Sequence, residues 1–110
     1  MADLEFARRA GRREANLRVV NERIAESLER QLGDAVAAYQ LLCECAREDC
    51  DKSIRLPAEA YDAVRESVSR FVVVDGHVLY DVERIVDRGE AWVVVEKYGE
   101  AALAAEEELT

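Results

Sequence analysis

Three cysteines fall within eight residues, Cys43-Glu-Cys45-Ala-Arg-Glu-Asp-Cys50, and the chain has no others. Its one histidine, His77, follows an Asp75-Gly76 pair. Three thiols and one imidazole make a complete tetrahedral donor set for zinc. A chain that brings these four residues to one point has little freedom left in how its strands connect. Cys43 and Cys45 are one residue apart, so on an extended backbone both side chains face the same way. A bend there lets both sulfurs reach one ion, and the short loop to Cys50 can return to it. A glycine turn after a strand is a natural way to present the fourth ligand. Glu48, Asp49 and Asp51 would raise the local affinity for a cation without being ligands. The expected site is therefore Cys43, Cys45, Cys50 and His77, holding one zinc per chain. The spacing is not one of the common zinc patterns, and the plainer alternative is three small buried thiols in a core beside a loop histidine.

The segments on either side supply the frame. From Asp3 to Leu32 there is no proline, Gly11 is the only breaker, and Ala, Arg, Glu and Leu dominate, which predicts one long helix. Leu17, Val20, Ile24, Leu28 and Leu32 form an apolar stripe along it. That stripe is expected to be buried, against the rest of the chain or as a self-association seam with Asn21 setting register. Gly33-Asp34 is a plausible stop. Tyr39–Cys43 and Ser53–Leu56 read as an antiparallel pair with the cysteines at its tip. Pro57 opens a second helix, with Tyr61, Val64 and Val68 on one face and its end near Ser69. Phe71–Val74 is a short β-branched strand. Val82–Arg88 and Ala91–Lys97 flank Gly89-Glu90 as a hairpin. Glu100–Thr110 is Ala- and Glu-rich, a frayed helix or a disordered tail.

The expected architecture is α+β: a long N-terminal amphipathic helix, then a small antiparallel β-sheet domain with one helix, organised around a Cys3His metal site. The expected division is residues 1–34 for the helix, 35–99 for the zinc-binding domain and 100–110 for an acidic tail. With 110 residues and a formal net charge of −9, generic nucleic-acid binding is disfavoured, because an acidic surface repels phosphates. The cluster Arg8, Arg9, Arg12 and Arg13 is read as a solvated helix face, with Arg18 pairing to Glu14 or Glu22. There is no bilayer-spanning apolar run and no signal-peptide pattern. An odd cysteine count argues against a closed disulfide framework. The expected location is cytoplasmic.

The motifs Cys43-Glu-Cys45-x4-Cys50, Ile54-x-Leu56, Tyr61-x-x-Val64-Arg65, Phe71-x-Val73, Gly76-His77 and Val94-Val95-Glu96-Lys97 resemble a group of small uncharacterised bacterial proteins. Val20-Asn21-Glu22-Arg23 resembles an element in the N-terminal helix of that group. The resemblance runs from about Leu17 to Lys97 and departs at Asp75, where the group usually has proline. It implies a zinc-binding domain and adds no reaction. Asp75-Gly76-His77 also resembles the ending of the CDGSH iron–sulfur proteins, whose cysteine before the Asp-Gly is replaced here by Val74. An iron–sulfur cluster on the same four residues is thus the lesser alternative to zinc.

Three functional classes follow. With four protein ligands the metal site is closed and structural, and the chain would act as a protein-interaction or regulatory module through the stripe. If His77 is not a ligand, the cysteines would serve as a thiol-based redox sensor, or the cluster would serve a metal-dependent enzyme with Glu44 or Asp75 as its base. A nucleic-acid-binding zinc protein is the third class.

Overall fold

The first helix, α1, runs Leu4–Leu32, and both of its ends have local causes. Asp3 caps the start by accepting a hydrogen bond from the Glu5 amide at 3.0 Å, satisfying one of the free N–H groups of the first turn. Gly33 stops it at φ 58° with its amide bonded to the Glu29 carbonyl, a conformation that costs glycine little. The computed structural model describes residues 3–110, and among them no helix is long and apolar enough to cross a membrane.

After one 3-10 turn at Gly33–Ala35 come two strands, β1 (Ala38–Leu42) and β2 (Ser53–Pro57), paired antiparallel with Tyr39 opposite Leu56 and Leu41 opposite Ile54. These four side chains are the buried alternates of the pair, the period-2 pattern of a sheet with one wet face. β1 ends one residue before Cys43, so the cysteines lie just past the ladder. Pro57 closes β2 and precedes α2, Ala58–Arg65. A three-stranded sheet follows: β3 (Arg70–Val74), β4 (Glu83–Arg88) and β5 (Trp92–Lys97), in the order β3-β5-β4, all antiparallel. As the central strand, β5 buries Trp92 to Val95 without a break. The two antiparallel sheets and the long helix make the fold α+β.

Helix α2 stops at Arg65, four residues short of the expected end near Ser69. The cause is Arg18 of α1, 3% exposed. Its guanidinium donates to the carbonyls of Arg65 at 2.6 Å, Arg70 at 3.1 Å and Ser67, and it stacks 5.8 Å from the Phe71 ring. A buried cation gathering carbonyls at a helix C-terminus satisfies groups the helix leaves free and favours its dipole. Arg18 does pair with Glu22, at 2.8 Å, yet it is an interior residue and not part of a solvated face.

The Leu17–Leu32 stripe is not the face that α1 buries. Val20 is 42% and Leu32 54% exposed; Leu17 is half-buried, and only Ile24 and Leu28 lean on the main core. The buried face is Ala7, Ala10, Gly11, Glu14, Ala15, Arg18, Asn21 and Ala25, about a quarter turn away at 100° per residue. Its small residues meet a third helix, α3, Gly99–Leu109, where a loose acidic tail was one expectation. Ala101, Ala104 and Ala105 are fully buried. A methyl group at Gly11 would overlap the Ala101 carbonyl, so Gly11 marks a close helix crossing. Arg8 fastens the pair through Glu100 at 2.8 Å and Glu107 at 2.6 Å.

Charge also enters the interior. Lys97 donates to Glu14 at 2.8 Å and to Glu83 at 2.6 Å, and all three side chains have no exposed surface. Glu14 was expected on the surface beside Arg18; it faces inward because Gly11 and Arg18, a turn either way, face inward too. Burial holds the Glu14 carboxyl well above the usual range, against the pull of Lys97.

Candidate metal centre

Cys43-Glu44-Cys45 is an extended knuckle that lies against β3. The Cys43 amide still bonds the Lys52 carbonyl at 3.0 Å, and the Glu44 amide bonds the Val72 carbonyl at 2.9 Å. The Glu44 side chain points opposite to both sulfurs, into the core, where it has no exposure. One carboxylate oxygen accepts from the Val72 amide at 2.9 Å. The other accepts from Asn21 Nδ2 and from the Tyr61 hydroxyl, both at 2.9 Å. Asn21 further holds the Leu42 amide and carbonyl, each at 2.9 Å. One carboxylate thus joins α1, α2 and β3 directly behind the cysteines. Burial pushes Glu44 up to about 7, while the Val72 amide, Asn21 and Tyr61 favour its charged form. Both carboxylate oxygens already face core donors, which leaves Glu44 poorly placed as a base. Asp75 is solvent-facing, 3.8 Å from Arg88.

The other side of the site comes from the end of β3. The Val74 amide donates to Cys43 Sγ at 3.2 Å. The next residues turn back, His77 N–H to Val74 carbonyl at 2.9 Å, with Gly76 at φ 95°, a conformation L side chains rarely adopt. The turn aims the imidazole at the sulfurs. His77 Nδ1 lies 3.7 Å from Cys43 Sγ and 3.6 Å from Cys50 Sγ. Cys50 is returned by its own turn, amide to the Arg47 carbonyl at 3.2 Å. One donor atom from each of Cys43, Cys45, Cys50 and His77 lies within 4.8 Å of the others. All four residues named from the sequence are brought together, a group that could hold a metal ion.

The spacing can be tested against a metal's needs. Ligands at 2.3 Å for sulfur and 2.0–2.1 Å for nitrogen, set tetrahedrally, put sulfur and nitrogen about 3.6 Å apart. The two sulfur–nitrogen distances match that edge. The thiols are free and share protons unequally. A hydrogen bond from Cys43 pulls Cys45 down to about 4, against burial and with help from the Arg47 amide. Its sharing with Cys45, together with burial, pushes Cys43 up. Sulfur binds a metal as thiolate, so a cation entering here displaces the protons these thiols carry.

Fold and site together define a small α+β protein with a Cys3His group at the junction of a β-knuckle and a strand end. Comparison with protein-family models, curated proteins and solved structures finds no match for this chain. The resemblance to small bacterial proteins gains no support from those comparisons; what stands is the cluster itself. Asn21, Glu44 and Tyr61 were not expected to act together. The one signal was alternation: Glu44 sits between two residues that face the other way.

Proposed function

We propose that the chain carries one zinc ion in a closed, structural Cys3His site formed by Cys43, Cys45, Cys50 and His77. In this reading it works as a protein-interaction or regulatory module in the reducing cytoplasm. The observation that carries the reading is the sulfur–nitrogen spacing of 3.6 and 3.7 Å from a single imidazole nitrogen. Four protein donors fill a tetrahedron and leave no position for water or substrate, the mark of a structural site. The compact donor set also favours one ion over a two-iron cluster, which spreads its ligands over two metals.

Native mass spectrometry of protein purified without chelator tests this. The expected result is about one zinc and no iron per chain. Fewer than about 0.2 zinc per chain, or an iron–sulfur mass, would overturn it. His77→Ala should bind zinc far more weakly, with partial rescue by added imidazole. If it binds as tightly as the parent, the fourth position is open and the enzyme reading gains.

A further inference from the structure

The stripe that α1 leaves uncovered runs along a face of unusual charge. Near its N-terminal half, Arg9, Arg12, Arg13, Asn16, Leu17 and Val20 line a cleft whose far wall is Glu48 of the cysteine loop. Beyond it, a second hollow shares Val20 and continues through Arg23, Ile24, Ser27 and Leu28. The two form one path from Arg9 to Leu28, about 28 Å at 1.5 Å per residue. The glutamates of α1 between those positions, Glu14, Glu22 and Glu26, do not line it.

Most of the arginines here are not committed elsewhere. Arg8 is held by Glu100 and Glu107, but among the described residues Arg9, Arg12 and Arg23 form no ion pair. Arg13 donates one nitrogen to the Arg47 carbonyl at 2.6 Å, and its Nε is buried without a partner. A chain of net charge −9 thus presents one cationic, apolar-floored track beside its cysteine loop.

We propose that this track docks an acidic amphipathic helix of a partner protein, with apolar side chains on Val20, Ile24 and Leu28 and carboxylates on Arg9, Arg12 and Arg13. Charge complementarity selects the occupant. The same face of a second copy of α1 would bring its own arginines and none of that helix's glutamates. α3, the acidic helix of a second copy, has its alanine face already buried on its own α1. Nucleic acid finds no aromatic stacking residue among those that line the path, and the remaining surface repels it. The inference names the partner for the interaction role proposed above, but does not require the metal.

The test is selection from a phage-displayed library of random 20-residue peptides on immobilised full-length protein, with zinc content measured on every sample. The expected winners are acidic, with Leu or Ile at helical spacing. Their affinity should fall about tenfold or more for Arg9→Glu/Arg12→Glu and for Val20→Asp, and should weaken with salt. Arg9 and Val20 face solvent and Arg12 is half-buried; unchanged circular dichroism and zinc content check that the variants keep their fold. No enrichment, winners that are neutral or basic, or winners indifferent to the substitutions would overturn the proposal. So would a dimer by light scattering that Val20→Asp separates, or a fluorescent oligonucleotide bound more tightly than any peptide. Acidic winners on metal-free protein would sink the zinc reading and leave this one standing.

Discussion

Two polar clusters, one half-buried and one fully buried, hold distant parts of this chain together, and they do so by different chemistry. The cysteine–histidine corner joins residues 43–50 to His77. The Glu14–Lys97–Glu83 cluster joins α1 to β5 and to the start of β4. The first gathers soft donors that a cation can satisfy completely. The second places two carboxylates on one ammonium, and Glu14 Oε1 is left without a hydrogen-bond partner. An ion pair taken out of water recovers its lost hydration only when every lone pair is met. The corner is thus built to gain a great deal from one ligand, whereas the triad is a compromise that hydrophobic residues could replace. Their glutamates show the same contrast. Glu44, behind the corner, is met by three uncharged donors, and Glu14 by a lysine it must share.

The comparison breaks most sharply on metal removal. Stripping the metal with a chelator, or Cys45→Ser, should lower stability by an amount on the order of 10 kcal/mol if the metal contributes as it does in small zinc domains. Denaturant melts with and without chelator read this, and unchanged melts would mean the corner is only a set of packed thiols. Next in size is Lys97→Met, which leaves two buried carboxylates uncompensated and should cost about 3–5 kcal/mol. Replacing all three residues, Glu14→Leu, Glu83→Leu and Lys97→Met, should instead be neutral or stabilising. If the triple variant is as unstable as the single, the triad is no compromise and the contrast fails.

A pH series separates the clusters further. The Glu14 pKa is raised in the folded state by burial. The folded protein therefore holds its proton more tightly than the unfolded chain. The sign follows: Glu14 favours folding below the ordinary carboxyl value, and that contribution is lost as pH rises through the folded pKa. Above about pH 4.5 the parent should lose up to about 1.4 kcal/mol per pH unit relative to Glu14→Gln, until Glu14 is ionised in both states. Metal and Glu44 titrations are common to both proteins and cancel in the difference. Parallel curves would show that Glu14 is charged throughout.

The smallest effect expected is that of Gly11→Ala. Overpacking at the α1–α3 crossing costs about 1–3 kcal/mol, offset by up to about 1 kcal/mol of better helix propensity. A net loss of about 1 kcal/mol, with zinc content unchanged, would show that the crossing supports the triad end and not the corner. A net gain would mean that α1 can step away from Ala101 without strain.

How much was legible in the chain follows from residue type. Cysteine and histidine are rare, so three thiols in eight residues and one imidazole after a glycine turn stand out, and the structure brings all four together. Pro57, Gly33 and Gly76 act through their own backbone preferences, so the ends of β2 and α1 and the turn before His77 could be read locally. Charged residues make up 35% of the chain, and no local signal tells the inward Glu14, Arg18 and Lys97 from the outward majority. Burial of the Leu17–Leu32 stripe against its own chain, one of the two expectations for α1, failed for a related reason. Helical spacing finds the most hydrophobic stripe, Leu17 to Leu32, but the face that buries is chosen by what lies opposite. Opposite α1 lie the alanines of α3, which admit only small residues, and the free carbonyls after α2, which need an arginine. The residues themselves carried the kinds and order of the elements from α1 to β5, and the four residues of the cluster. Which helix face is interior is set by packing, because burial depends on the shape and unmet hydrogen bonds of a neighbour that is remote in the chain.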